Sequence, residues 1–97
     1  MDKVAVFVIY DRAIDEEVLS ALGECGIGTY TRWHNASGVG STGPHQGDNV
    51  WPALNNVLMA VIDSQSQGQV LERLRALRGD FPYTGLRAIV VPVLDMV

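Results

Sequence analysis

The chain contains one cysteine, only seven Lys and Arg residues against eleven Asp and Glu residues, and no apolar run long enough to span a membrane. The lone Cys25 excludes an intramolecular disulfide and a zinc site made of several cysteines of one chain. The net charge of -4 argues against a general nucleic-acid-binding protein, because neutralising phosphates requires an excess of basic residues.

The first residues, Met1-Asp2-Lys3, lead into a short apolar run and lack the basic region and the long apolar region of a signal peptide. We therefore expect a cytoplasmic protein. The 97 residues are enough for one domain, and a hydrophobic fraction of 47% argues against intrinsic disorder. The expected unit is a single domain over residues 1–97.

Two apolar segments, 4–9 and 57–62, are short and rich in β-branched residues, which predicts buried strands. Two further strands are predicted over 28–35 and 86–94, and Pro92 indicates an edge position or a bulge for the last one. Two helices are predicted from apolar residues that share one helical face, namely Ile14, Val18, Leu22 and Cys25 in the first and Val70, Leu74 and Leu77 in the second.

The order of these elements is β-α-β-loop-β-α-β, which predicts an α+β protein of the ferredoxin-like class. Its antiparallel four-stranded sheet would carry two helices on one face. Because strands as apolar as 4–9 and 57–62 would expose a large patch on the other face, we predict an oligomer that covers that face.

The segment between the central strands is rich in glycine, which predicts a long mobile loop. Residues 38–43 match G-x-G-x-x-G, but the following Pro44-His45 cannot open a helix, so the pattern does not indicate a dinucleotide-binding fold. Two interpretations remain open. The backbone N–H groups, with the hydroxyls of Ser41 and Thr42, bind an anion, or the loop binds nothing.

Other polar residues give weaker indications of function. His34, His45 and Asp48 are potential metal ligands, but their spacing fits no compact metal motif, and loop histidines are more often solvent-exposed and unliganded. Arg87 near the start of the last strand is either solvated or binds a ligand phosphate. No pattern of nucleophile, base and acid is recognisable, so we expect that the protein is not an enzyme.

Three short segments, Gly26–Thr31, Gly38-Val39-Gly40 and Thr84–Val90, together with the order of the elements, resemble the PII (nitrogen regulatory) signalling proteins. The resemblance implies a homotrimer that binds an adenine nucleotide between subunits and regulates a membrane transporter or a cytoplasmic enzyme through a flexible T-loop-like segment at about 36–52. It also implies ligand-binding roles: the adenine would lie near Thr29, the phosphates near Gly38, Gly40 and Ser41, and Arg87 would be the basic residue of the B-loop.

The effector itself stays open, because the loop is shorter than that of PII proteins and lacks their modified tyrosine. ATP, ADP, AMP, a cyclic nucleotide, bicarbonate or a metal ion would each be compatible with the resemblance. An alternative hypothesis is a metal-binding CutA-like or efflux-associated protein that uses His34 and His45. A small enzyme on the same fold is a third hypothesis.

Overall fold

A four-stranded antiparallel sheet organises the chain, and two short strands form a separate sheet. The computed structural model describes residues 2–40, 43–45 and 54–97. The elements are β1 (Lys3–Asp11), α1 (Asp15–Glu24), β2 (Thr31–Ala36), β3 (Gly38–Gly40), β4 (Gly43–His45), β5 (Asn55–Asp63), α2 (Gln67–Asp80) and β6 (Leu86–Pro92). The strand order in the larger sheet is β2-β5-β1-β6, and β3 pairs with β4 in the smaller one. This arrangement confirms the predicted ferredoxin-like α+β fold.

The two apolar segments of the sequence form the centre of the sheet. β1 and β5 pair along their full length, from Lys3 opposite Asp63 to Asp11 opposite Asn55. β6 lies outside β1 as an edge strand, which is where Pro92 was expected, since proline cannot donate a ladder hydrogen bond.

Two predicted strand boundaries were wrong. β2 begins at Thr31 and not at Gly28, because its first pair with β5 is Thr31 opposite Met59. β6 ends at Pro92 and not at residue 94. The stretch before β2 instead completes the end of α1, where Gly26 has a φ of 79° and the Ile27 N–H donates to the Leu22 carbonyl. This left-handed turn suits glycine and closes the helix.

The hydrophobic core lies between the helices and one face of the sheet. Alternate residues of β1 and β5 point into it, as expected for strands whose side chains alternate between faces. The predicted face of α1 is confirmed, since three of its four residues are buried and Cys25 packs against the core. The core consists of Val4, Val6, Val8, Tyr10, Ile14, Val18, Ala21, Leu22, Leu58, Ala60, Ile62, Val70, Leu74, Leu77 and Leu86.

The other face of the sheet is also apolar, and within one chain it carries no helix. In the described residues its members are mostly half-buried or exposed; Trp33 is 49% exposed and Ile89 is 43% exposed. Cross-strand pairing places Phe7 between Met59 and Ile89 in one row. We call this surface the open sheet face; it consists of Ala5, Phe7, Ile9, Trp33, Val57, Met59, Val61, Ile89 and Val91.

Both helices are too short or too polar to cross a lipid bilayer in the part of the chain that the structure describes.

Candidate functional site

The glycine-rich segment leaves the sheet where β2 ends and returns where β5 begins. Its described part forms a short hairpin in which Gly38 pairs with His45 and Gly40 with Gly43. The residues that follow the G-x-G-x-x-G pattern therefore form a strand and not a helix, in agreement with the sequence argument against a dinucleotide-binding turn. Ser41, a predicted phosphate contact, lies outside the described residues, as do the candidate residues Thr42 and Asp48.

A cluster of four polar side chains lies at the same end of the sheet. The Asp15 carboxylate, in the first turn of α1, accepts hydrogen bonds on Oδ1 from the Tyr10 hydroxyl at 2.6 Å and from the Asn56 amide at 3.0 Å. Its Oδ2 accepts from the Arg32 guanidinium at 3.0 Å. We call Tyr10, Asp15, Arg32 and Asn56 the Asp15 cluster. It joins β1, α1, β2 and β5 with one carboxylate.

The cluster is largely shielded from water. Tyr10 is fully buried and Asn56 is 2% exposed. Burial alone would raise the pKa of Asp15, but the hydrogen bonds from Tyr10 and Asn56, with the Coulombic effects of Arg32 and His34, outweigh it and lower that pKa. Burial, followed by the hydrogen bond and the charge of Asp15, raises the pKa of Tyr10 far above its usual range. The stable form is therefore a neutral phenol that donates to an ionised carboxylate.

A β-bulge in β2 connects this cluster to the hairpin. The pairing with β5 shifts register between Trp33 and Ala36, and Asn35 adopts a left-handed φ of 59°. The Asn35 N–H donates to Asn56 Oδ1 at 3.2 Å, and the Asn35 side-chain oxygen accepts from Arg12 at 3.2 Å. A bulge redirects a strand. The chain therefore enters the hairpin from a bend held by Asn56 and Arg12.

The remaining predicted ligand residues lie far from each other within one chain. Thr29 lines a cavity of about 220 Å³ beside Lys3 and Asp63, at the end of the sheet opposite the hairpin. Arg87 is exposed on β6 and pairs with Ile9, near the end that carries the hairpin. Thr29 and Arg87 are also separated across the sheet. β2 and β6 are its opposite edges, and the three strand spacings between them amount to about 14 Å.

No protein-family model and no curated protein matches the sequence. Solved structures do match. CPII from Thiomonas intermedia K12, a nitrogen regulatory PII-like protein bound to ADP, AMP and bicarbonate, has a TM-score of 0.77 at 20% identity, over 96% of this chain and 93% of CPII. A PII-like signalling protein from Thermus thermophilus has a TM-score of 0.67 at 20% identity, over 96% and 90% of the two chains. A DUF3240 family protein from Shewanella baltica has a TM-score of 0.69 at 12% identity, over 98% and 93%.

The chain has the PII-like fold. The resemblance inferred from three short segments is thus confirmed for the fold, over nearly the whole chain. Identities of 12–20% leave the roles of single residues as predictions. Thr29, Gly38, Gly40, Ser41 and Arg87 therefore remain candidate ligand residues on this PII-like fold.

The metal hypothesis receives no support from the side chains that the structure describes. Among them, no three or more His, Cys, Asp or Glu side chains lie together in a way that could hold a metal ion. His34 is exposed on β2 close enough to Asp15 to affect its titration, and His45 lies on β4. Cys25 packs against the core, as the sequence indicated.

Sequence reasoning missed the Asp15 cluster. It explained Asp15 as an acidic residue in a first helical turn, where such residues are favourable without any function. The sequence nevertheless contained an indication of the cluster, namely two polar residues at positions predicted to be buried. Tyr10 and Asn56 continue the buried alternation of β1 and β5, so their polar groups needed buried partners.

Proposed function

We propose that this chain is the subunit of a PII-like signal-transduction protein, a single domain over residues 1–97 that acts in the cytoplasm without enzyme activity. It binds an adenine nucleotide between subunits of a homotrimer and regulates a partner protein through the segment at about 36–52. The observation that carries the proposal is the match over 96% of this chain to CPII, a structure that holds ADP, AMP and bicarbonate. The partner would be a membrane transporter or a cytoplasmic enzyme.

The positions of the candidate residues support a site between subunits. Thr29 and Arg87 lie at opposite edges and toward opposite ends of one sheet, so one small ligand cannot contact both within a chain. A cleft between neighbouring copies would allow Thr29 of one copy and Arg87 of the next to contact the same nucleotide. Gly38, Gly40 and Ser41 would then offer N–H and hydroxyl donors to the phosphates.

The open sheet face supports the homotrimer. It contains nine apolar residues on one side of the sheet, whereas the helices cover only the other side. A contiguous apolar surface of this kind is typical of an interface between chains. Three copies that pack these faces together around an axis would remove the surface from water and bring the sheet edges of neighbours close to each other.

Isothermal titration of the purified chain with ADP, AMP, ATP, cyclic AMP and bicarbonate tests the proposal. We expect saturable binding of at least one adenine nucleotide, with one site per subunit. Arg87→Ala should weaken it by about tenfold or more, since a basic side chain on a phosphate contributes about 1.5–3 kcal/mol. Arg75→Ala, which removes an exposed arginine of α2, is the matched control and should bind like the wild type.

Two outcomes would contradict the proposal. One is the absence of heat with every nucleotide. The other is equal affinity of the Arg87→Ala and wild-type proteins, which would remove Arg87 from the site. The statement that the protein is not an enzyme is tested in the same samples, because the bound nucleotide should be recovered chemically unchanged after prolonged incubation.

A further inference from the structure

The Asp15 cluster has a chemical asymmetry that determines how Asn56 is oriented. A carboxylate can only accept hydrogen bonds, so the Asn56 group that faces Asp15 must be the NH2 group. The Asn56 carbonyl oxygen must then point the other way, where it accepts the backbone N–H of Asn35. The hydrogen bond to Asp15 thus fixes the orientation of the Asn56 amide, with its carbonyl oxygen toward β2.

The group that Asn56 holds is the bend from which the hairpin leaves. Asn35 has left-handed backbone angles, and the register of β2 shifts at this residue. Such a conformation persists only where surrounding contacts determine it. The neighbouring Ala36 pairs with Asn55, so both ends of the segment between β2 and β5 meet beside the same amide side chain.

We propose that Asp15 is a positioning residue for the hairpin segment: by fixing the orientation of Asn56, it holds the bulge at Asn35 and sets the direction in which the segment leaves the sheet. In the part of the chain that the structure describes, Asp15 makes hydrogen bonds to Tyr10, Arg32 and Asn56 and to none of the predicted ligand residues. Its effect on an effector would be indirect, through the position of Gly38 and Gly40, and this last step rests on the proposed function.

Replacing Asp15 with asparagine should disturb the bulge more than the fold. The introduced amide could accept from Asn56 only by turning its own NH2 group toward Arg32, a donor facing a donor. If it instead donated to Asn56, the Asn56 amide would flip and present its NH2 group to the Asn35 N–H. Either arrangement leaves donors without acceptors, and the second one breaks the bond to the bulge.

A reciprocal exchange of the two side chains distinguishes positioning from general stabilisation. In the double variant Asp15→Asn/Asn56→Asp, the amide at position 15 donates to the new carboxylate at position 56, while its oxygen still accepts from Arg32. The Tyr10 hydroxyl, which neighbours both positions, can turn its proton to the new carboxylate. The second oxygen of that carboxylate is then free to accept the Asn35 N–H. The number of charges in the cluster is unchanged, so this variant restores the bond to the bulge without restoring the original residues.

Hydrogen exchange of the Asn35 and Ala36 amides in the ligand-free protein is the primary measurement. We expect exchange to be about tenfold faster in Asp15→Asn, and most of the protection to return in the double variant. Glu16→Gln, in the same helical turn, is the control and should leave the exchange rates of the Asn35 and Ala36 amides unchanged. Tyr10→Phe is a second control, since it weakens the cluster without altering the orientation of Asn56.

Two results would overturn the proposal. One is wild-type exchange at Asn35 in Asp15→Asn. The other is exchange at Asn35 that simply follows the global stability of all variants, including Tyr10→Phe, with no recovery in the double variant.

Nucleotide binding is the second measurement. ADP should bind Asp15→Asn about tenfold more weakly than it binds the wild type. Should the wild type bind no nucleotide, the proposed function fails while the exchange data still decide the role of Asp15.

Discussion

The Tyr10 hydroxyl lies 2.6 Å from Asp15 Oδ1, so the last inward-facing residue of β1 is hydrogen-bonded to the first residue of α1. A buried phenol and a partly buried carboxylate satisfy each other across the turn between the two elements. Two neighbours, Asn56 and Arg32, complete the shell of donors around the carboxylate.

Removal of the Tyr10 hydroxyl should destabilise the protein. Tyr10→Phe keeps the buried ring but loses a hydrogen bond to an ionised acceptor, so we expect a loss of about 1.5–3 kcal/mol in the free energy of unfolding. Urea unfolding at fixed protein concentration measures the change. Tyr83→Phe alters a tyrosine that is 96% exposed and should change stability little. Equal effects of the two variants would show that the Tyr10 hydroxyl contributes nothing.

The stability of the protein should fall in acid through Asp15. Its pKa is lowered in the folded state, so between the folded value and the ordinary aspartate value of about 3.9 the unfolded chain binds more protons. The stabilisation is present above that ordinary value and is lost as the pH falls through the folded value. Unfolding measured from pH 7 to pH 2 should show a shallower acid decline for Asp15→Asn than for the wild type, and equal declines would contradict the prediction.

A charge placed on the open sheet face should prevent assembly. Phe7 lies in β1, one of the two central strands, between Met59 and Ile89. Phe7→Glu would bury an unpaired carboxylate in the proposed interface, which costs several kcal/mol, so we expect this variant to be monomeric in light scattering and the wild type to give the proposed trimer. Ala76→Glu, on the exposed surface of α2, is the control and should stay trimeric. A trimeric Phe7→Glu protein would contradict this assignment of the interface.

Two glycines near the end of α1 should respond in opposite directions to alanine. Gly26 has a φ of 79°, which an alanine adopts at a cost of about 1–2 kcal/mol, so Gly26→Ala should destabilise the protein. Gly23 lies within α1 with no atom in the way of a new methyl group, so Gly23→Ala should stabilise it by about 1 kcal/mol. Thermal unfolding of both variants measures the contrast; changes of the same sign would contradict it.

The sequence was sufficient for the parts of the fold that depend on local periodicity. The apolar runs of β1 and β5 and the spacing of Ile14, Val18 and Leu22 each identify a buried face without knowledge of the rest of the chain. Strands β3 and β4 were not predicted, because their glycine-rich residues have no apolar alternation. The Asp15 cluster was not predicted because its partners lie 5, 17 and 41 residues away along the chain. Only the sheet order brings them together.

The sheet order that separates Thr29 from Arg87 also has a genetic consequence. In the proposed ring, where Thr29 of one copy and Arg87 of the next form one site, a chain defective at Thr29 would damage one of its two boundaries, and a chain defective at Arg87 would damage the other. In rings mixed at random from equal amounts of the two defective chains, roughly a quarter of the boundaries would combine a functional Thr29 with a functional Arg87. Rings made of either chain alone would have no such boundary. Two inactive alleles could thus complement each other.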